Sequence, residues 1–360
     1  MRRNERNKLV INIFLLLFVL LIFFAFLEIS LRLFSYPSYG FQKGVFVRDS
    51  VIGYKLSADY QGTQSIYGKA YELRTNNKGL RDFREYGYQK GEANRIVILG
   101  DSFAFGNGVD LDESYPENLR NLFGEEVEII NLGVPGYGIN NQYLSFIKEG
   151  IKYDPDIILI GYIVNDWNIH QVLLNEKNEY VIDGNHSAFI NDVGLMTSEA
   201  IGLRSMHLSL LYNFRSYSFF YTNFRSVLSK IIDKYWTNVG VPAYFSNSDS
   251  HEYRVAYNGY YSILKMLKEH TSGKIVIFIG PTLDDLFSSE EIQESYNINY
   301  EVNAGQTKDS VEEIAKLLDI EVIRVESSDP SIYLEVDGHW NSKGNKLMAD
   351  KLHERLKNFL

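Results

Sequence analysis

Ser102, Asp337 and His339 are the residues of this chain whose types and positions could carry out chemistry. Ser102 follows the apolar run Arg95–Leu99, and His339 lies two positions after Asp337, just before an amphipathic segment. A serine hydroxyl attacks an ester carbonyl when a histidine takes its proton and an acidic residue orients that histidine. These three side chains would form such a site if their loops met in the fold.

The serine also has a structural interpretation, because Ser102 could cap the helix that follows the apolar run. Two other known motifs do not fit this loop. A phosphate-binding P-loop needs a lysine after Gly106 or Gly108, and neither glycine is followed by one. The nucleophile elbow G-x-S-x-G needs a glycine where Ala104 stands. A reactive serine and a capping serine are therefore the two alternatives for Ser102.

Two more loops supply groups that can stabilise negative charge. Residues 131–138 read Asn-Leu-Gly-Val-Pro-Gly-Tyr-Gly, a glycine-dense turn that contains Gly136 and enters a helix. Backbone N–H groups in such a turn can point at an anion, and the helix dipole favours the same charge. Asn165 follows another apolar run, so its carboxamide can donate an N–H group into the same crevice.

The elements around these loops alternate between strand and helix. Five runs rich in β-branched residues predict strands, namely Arg95–Leu99, Val127–Asn131, Asp156–Tyr162, Lys274–Ile279 and Ile320–Val325. Helical patterns occur at Tyr115–Phe123, Ile139–Tyr153, Glu252–Glu269, Lys308–Leu318 and Ser342–Phe359. This order predicts an α/β fold, a flavodoxin-like three-layer α/β/α arrangement with a parallel five-stranded sheet. The loops described above then collect at the carboxyl ends of the strands.

Two further segments accompany this sheet domain, which we assign to residues 95–360. Residues 36–94 are irregular and β-leaning, and they predict a small β-rich preface. An insertion at about residues 170–250 interrupts the alternation and is expected to be helical; it contains the aromatic-rich stretch Leu210–Trp236. Its rings could form a lid or an acceptor platform, but packing of the insertion onto the domain or near a membrane is the simpler interpretation.

Residues 1–35 predict a cytoplasmic tip and a transmembrane anchor. Leu9–Leu27 is apolar except for Asn12, and as a helix it would extend about 28 Å, close to the hydrocarbon thickness of a bilayer. A cleaved signal peptide is the rival interpretation, but no small-x-small cleavage site follows the run. Because four basic residues precede the span, the positive-inside rule keeps the N-terminus cytoplasmic and places the hydrolase-like domain outside.

The charge and composition of the chain limit which partners and which kinds of chemistry it can have. The formal net charge of the chain is −10, and the first eight residues carry +3, so the remaining residues carry −13. A body this acidic repels phosphate backbones, which argues against nucleic acid. No H-x-H or H-E-x-x-H pair occurs and there is no cysteine, so we expect neither a metal hydrolase nor a thiol nucleophile. No cofactor is expected.

These blocks resemble the SGNH, or GDSL-type, serine hydrolases over roughly residues 95–360. Gly100-Asp101-Ser102 matches the serine block, Gly136 lies in the glycine block, Val164-Asn165-Asp166 matches the asparagine block and Asp337-Gly338-His339 the terminal block. The preface stretch 75–82 resembles that of membrane-anchored members that act on cell-surface material. Two departures are the valine before Asn165, where glycine is usual, and the D-x-H spacing in place of D-x-x-H.

The resemblance implies a role for each matched residue. Ser102 would be the nucleophile, His339 the general base and Asp337 the residue that orients His339. Glu335 or a backbone carbonyl is the fallback orienter. The oxyanion hole would consist of the Ser102 and Gly136 N–H groups and the Asn165 carboxamide. Asp101 and Asp166 would support the loops without reacting.

The expected function is an extracytoplasmic serine esterase that removes an acyl group, with acetyl as the first choice, from a cell-envelope glycan or related molecule. An O-acyltransferase is the first alternative, and it would need a separate membrane partner that donates the acyl group. A glycan-binding protein that keeps the fold without catalysis is the second. The lipid bilayer, contacted through residues 9–27, is the expected partner of the anchor.

Overall fold

The computed structural model describes residues 2–34, 44–66, 69–167, 247–296, 305–334 and 338–360, with short pieces between 172 and 245 and residues 302 and 303. The strands are β1 Phe46–Asp49, β2 Gly53–Leu56, β3 Gln61–Ile66, β4 Lys69–Arg74, β5 Asn94–Leu99, β6 Val127–Asn131, β7 Ile157–Tyr162, β8 Val172–Leu174, β9 Tyr180–Ile182, β10 Phe189–Asn191, β11 Gly194–Met196, β12 Lys274–Ile279 and β13 Glu321–Arg324. The helices are α1 Arg2–Leu33, α2 Ser102–Phe105, α3 Tyr115–Phe123, α4 Ile139–Lys148, α5 His251–His270, α6 Ser289–Tyr296, α7 Gln306–Leu317 and α8 Ser342–Leu356.

The five predicted strands form one parallel sheet in the order β6-β5-β7-β12-β13. β5 lies between β6 and β7. The strand order therefore reverses at β5: the chain continues to β6 on one side of it and then returns to β7 on the other. In sheets with this strand order, the crevice outside the carboxyl ends of the strands is the usual place for a site. The flavodoxin-like prediction is confirmed.

Helices cover both faces of the sheet because each strand is apolar on both sides. Val97 and Leu99 of β5 pack in one core cluster with α4, α5 and α7, while Ile96 and Ile98 pack in the other with α3 and α8. Successive side chains of a strand point to opposite faces, which produces this division. In the second layer α3 and α8 are joined by the Asn345 carboxamide oxygen, which accepts the Tyr115 N–H at 2.9 Å.

The predicted β-rich preface consists of two antiparallel hairpins, β1 with β2 and β3 with β4. Tyr54 and Leu73 of these hairpins share a core cluster with Phe105, Val134 and Tyr137 of the sheet domain. The preface therefore packs on the loops that follow β5 and β6. The boundaries at residues 35 and 94 stay predictions.

Within the insertion, the expectation of helices is wrong for the described residues 172–174, 180–182, 189–191 and 194–196. These residues include two antiparallel hairpins, β8 with β9 and β10 with β11. Their strands consist largely of β-branched, aromatic and aliphatic residues, which favour extended structure. Most of the aromatic-rich stretch Leu210–Trp236 lies outside the described residues, although residues 215–217 and 219–220 are helical.

Helix α1 is the one helix of the described residues that is long and apolar enough to cross a membrane, over Asn7–Leu33. A signal sequence near the N-terminus can pass the same test of length and composition. Near the end of α1, the Glu28 carboxylate accepts hydrogen bonds from the backbone N–H groups of Arg215 and Ser216 at 3.2 and 2.8 Å. The Phe24 and Phe220 rings meet edge to face at 5.8 Å. This described part of the insertion therefore packs against α1.

Candidate active site

Strand β5 delivers Ser102 to the carboxyl edge of the sheet through a tight turn. A Cβ atom on Gly100 would lie 2.6 Å from the Ala104 Cβ, so only glycine fits there without a shift in the chain. The Asp101 Oδ1 atom accepts the Phe103 N–H at 2.9 Å and caps α2. Because Asp101 performs the capping, the Ser102 hydroxyl is free of that role.

Ser102 and His339 meet across 237 residues of sequence. The Ser102 Oγ and His339 Nε2 atoms are 2.7 Å apart. The same Oγ is 3.4 Å from Asp101 Oδ2, which exceeds the range of a good O–H···O hydrogen bond. The contact with His339 Nε2 is therefore the shorter of the two, and its distance is within the range that a general base needs.

The His339 loop is held by hydrogen bonds of His339 itself and of the next residue, Trp340. Its carbonyl accepts the Leu334 N–H at 2.8 Å, and the next residue, Trp340, donates its indole N–H to the Pro281 carbonyl at 2.9 Å. Phe103 lies over the imidazole, with ring centroids 4.7 Å apart and an angle of 32° between the planes. The same Phe103 ring meets the Trp340 ring edge to face at 4.7 Å.

The acid–base state of His339 follows from this packing. Burial lowers the pKa of His339 to about 4, from its ordinary value of 6.5. The imidazole is then neutral at pH 7 and can accept the serine proton. Asp337 and the fallback Glu335 lie outside the described residues, so the identity of the orienting group stays a prediction.

Asn165 and Asp166 follow β7 in a short 3-10 helix, Val164–Trp167. The exposed Asn165 donates from Nδ2 to Asp101 Oδ2 at 3.0 Å. A carboxamide nitrogen carries two hydrogens, so this bond fixes the side chain and leaves the second hydrogen for a ligand. Asn165 therefore lies beside the serine loop, as an oxyanion donor would.

The two aspartates are buried beneath the site. Burial raises the pKa of Asp101, although hydrogen bonds from Phe103 and Asn165 oppose the shift. Burial, aided by the charge of Asp101, raises the pKa of Asp166 well above its usual range. Asp166 accepts the Ile163 N–H at 3.2 Å and closes the turn. Both carboxyl groups thus lie in the turns around the site, and their supporting roles stay predictions.

The glycine-dense turn approaches the serine helix from β6. A Cβ atom on Gly133 would lie 2.7 Å from the Ala104 Cβ, so the two loops touch at this residue. Asn131 donates to the Ala104 carbonyl at 2.7 Å and accepts the Gly133 N–H at 2.9 Å. Gly136 has a φ of 81°, which an L side chain rarely adopts. Gly136 thus belongs to a turn that Asn131 ties to the serine loop.

The preface supports the same turn from outside. Tyr54 of β2 donates its hydroxyl to the Pro135 carbonyl at 2.8 Å, and Tyr137 donates its own to the Tyr54 carbonyl at 2.6 Å. Asn141 of α4 donates to the Ile52 carbonyl at 2.9 Å. Sequence reasoning missed these contacts, and it also missed Phe103, which directly follows the serine block, and the role of Asn131, which begins the glycine-dense turn.

Among the described residues, no group of three or more histidine, aspartate or glutamate side chains could hold a metal ion. The site consists of a serine, a histidine and polar donors at the carboxyl edge of the sheet. This arrangement can attack a carbonyl carbon and transfer a proton.

Comparison with known proteins gives likenesses of structure only. No family model matches the chain, and no curated protein matches it. A lipolytic protein of the G-D-S-L family from Veillonella parvula is 13% identical with a TM-score of 0.40, covering 74% of this chain and 99% of its own. The protein TesA is 11% identical with a TM-score of 0.40, covering 74% of this chain and 100% of its own. A lipase/acylhydrolase from Enterococcus faecalis is 14% identical with a TM-score of 0.37, covering 74% of this chain and 96% of its own. Values this low transfer no activity, so the functional conclusion rests on the geometry.

Proposed function

We propose that this chain is a membrane-anchored serine esterase of the SGNH, or GDSL-type, family. The observation that carries the proposal is the 2.7 Å contact between Ser102 Oγ and His339 Nε2. Two residues so far apart in sequence meet at the edge of a parallel sheet where sites of such folds lie. The Asn165 carboxamide and the turn that contains Gly136 lie at the same edge.

The chemistry would proceed through an acyl-enzyme. Neutral His339 takes the hydroxyl proton as Ser102 attacks the ester carbonyl carbon, and the imidazolium then gives this proton to the leaving alcohol. Water, deprotonated by His339, then attacks the carbonyl carbon of the acyl-enzyme, and the imidazolium returns this proton to Ser102 Oγ as the ester bond breaks and the acid is released. Asp337 would hold the imidazolium, and the Ser102 and Gly136 N–H groups with Asn165 would hold the oxyanion.

The substrate class follows from the expected location. With α1 in the membrane and the basic residues before it in the cytoplasm, the site faces the cell envelope. We propose that the enzyme removes a small acyl group, acetyl foremost, from an envelope glycan or related molecule. In intact cells, protease should then digest the region after residue 34, and the chain should fractionate with membranes.

The decisive experiment uses the full chain in detergent micelles with aryl acetates, acetylated glycans and a fluorophosphonate probe. The wild type should hydrolyse the esters and carry the probe on Ser102, and Ser102→Ala should do neither. Ser262→Ala is the matched control, because Ser262 donates to the Asn258 carbonyl within α5, away from the site. Full activity in Ser102→Ala would end the proposal.

The alternatives give different outcomes in the same assay. If a glycan acceptor becomes acylated while little free acid appears, the protein is an O-acyltransferase. If wild-type Ser102 does not react with the probe, a binding protein is favoured. Trp340, the residue after His339, is buried and donates its indole N–H to the Pro281 carbonyl. It supports the His339 loop from the core.

A further inference from the structure

We propose that Arg81 of the preface is a positioning residue for Ser102. This inference rests on the proposed esterase function and adds to it a residue from outside the sheet domain. The guanidinium is buried, with 2% of the residue exposed. It lies against the loop that directly follows the serine helix α2.

Arg81 holds three carbonyl groups of that loop. Its Nη1 donates to the Phe105 and Gly106 carbonyls at 2.7 and 2.6 Å, and its Nη2 donates to the Val109 carbonyl at 2.6 Å. The guanidinium also stacks over the Phe105 ring, 4.7 Å from its centroid. Burial lowers the pKa of Arg81 to about 10, so it remains a cation at neutral pH.

The held loop is bonded directly to Ser102. The backbone N–H groups of Gly106 and Asn107 both donate to the Ser102 carbonyl, at 3.1 and 2.9 Å. Gly106 has a φ of 81° and ends the helix in the left-handed conformation that glycine adopts readily. The path from Arg81 to the nucleophile therefore crosses one residue, Gly106. A displacement of about 1 Å at a reacting group can lower a rate about 100-fold.

Arg95 offers a matched control at the other end of β5. It is also buried and donates to the carbonyls of Gly87, Tyr88, Gln89 and Tyr153 at 2.9 to 3.1 Å. Arg95 is the second residue of β5, and Ser102 follows the other end of the same strand. Arg81→Lys and Arg95→Lys both replace a planar guanidinium by a single ammonium group. Each variant therefore loses several hydrogen bonds to backbone carbonyl groups.

The experiment compares kcat and KM of the full-length variants on an aryl acetate, together with the rate at which a fluorophosphonate labels Ser102. We expect Arg81→Lys to lower kcat and the labelling rate about 10- to 100-fold with KM within about twofold, while Arg95→Lys keeps both rates within about threefold. Thermal unfolding of each variant shows whether the two lose similar stability. Equal rates in Arg81→Lys and wild type would overturn the proposal, as would equal losses in the two variants.

A milder variant covers the case in which Arg81→Lys does not fold. Tyr71 of β4 donates its hydroxyl to the Asn107 side-chain oxygen at 2.7 Å. Tyr71→Phe removes this hydrogen bond to the loop after α2 and keeps the aromatic ring, so no cavity forms. We expect its labelling rate to fall about threefold to tenfold, and an unchanged rate would contradict the inference. If the wild type itself is not labelled, the proposed function fails and the role of Arg81 fails with it, whereas a labelled wild type with an unchanged Arg81→Lys variant overturns the role of Arg81 alone.

Discussion

The acid limb of the pH–rate profile tests the state of His339 directly. Burial lowers the pKa of this histidine to about 4 from 6.5, and only the neutral imidazole can take the serine proton. At pH 5 such a residue is about 90% neutral, whereas one with the ordinary pKa is about 3% neutral. The value of kcat/KM at pH 5 should therefore stay near its value at pH 7, about 30-fold above that expected for an ordinary histidine.

The assay measures kcat/KM from pH 3 to 8 with a neutral ester, because this ratio reports the pKa of the free enzyme. Circular dichroism at each pH is the control. Since the pKa is lower in the folded than in the unfolded state, the folded chain binds fewer protons between pH 4 and 6.5, and stability falls as the pH drops through that window. A rate loss counts only where the fold is intact.

Two variants assign the cause of the shift. Phe103→Ala uncovers the imidazole, so its acid limb should move up toward pH 6.5. Phe123→Ala is the matched control, because the Phe123 ring contacts His353, also at 4.7 Å, on α3 and α8. Its acid limb should not move. A wild-type acid limb between pH 6 and 7, or an unmoved limb in Phe103→Ala, would refute the role of burial.

Three further changes test the rest of the site. Asn165→Ala should lower kcat about 100- to 1000-fold, since one oxyanion donor contributes about 3 kcal/mol; steady-state kinetics checks this, and a loss below threefold would remove Asn165 from the oxyanion hole. Asp166→Asn should unfold at pH 7 at the same temperature as the wild type or higher, because the raised pKa means that the folded chain resists ionisation of this carboxyl; a clear drop in a thermal melt would contradict it. Tyr54→Phe removes the bond to the Pro135 carbonyl and should lower the free energy of unfolding by about 1 kcal/mol, measured in urea, and an unchanged value would mean that this bond adds nothing.

The sheet was predictable because its signal is local. Each of its strands is a short apolar run rich in β-branched residues, and the observed bounds agree with the predicted ones to within one residue at each end; β13, for example, is Glu321–Arg324 where Ile320–Val325 was predicted. Helix α4 ends at Lys148 and a separate 3-10 turn covers Gly150–Tyr153, where one helix to Tyr153 was predicted. A glycine at position 150 weakens the helix there. Helix α6 was not predicted.

The sequence predicted which residues form the site, but it did not predict the contacts that hold them in place. Ser102, Asn165 and His339 stand next to strand ends or a helix start, so topology alone brings them to one edge. The contacts of Arg81 with carbonyl groups have no sequence pattern, because any backbone carbonyl can accept such a bond. The role of Asp101 as both helix cap and acceptor for Asn165 likewise depends on geometry between loops. The hairpins of the insertion were missed because short strands between loops carry little periodicity.

The bond between Tyr115 and Asn345 joins a helix near the nucleophile to the helix that follows the base. During synthesis the ribosome makes His339 237 residues after Ser102, so the imidazole can reach the hydroxyl only after the last part of the chain has been made and has folded. A nascent or prematurely terminated polypeptide that lacks this part therefore has a Ser102 hydroxyl without the His339 proton acceptor.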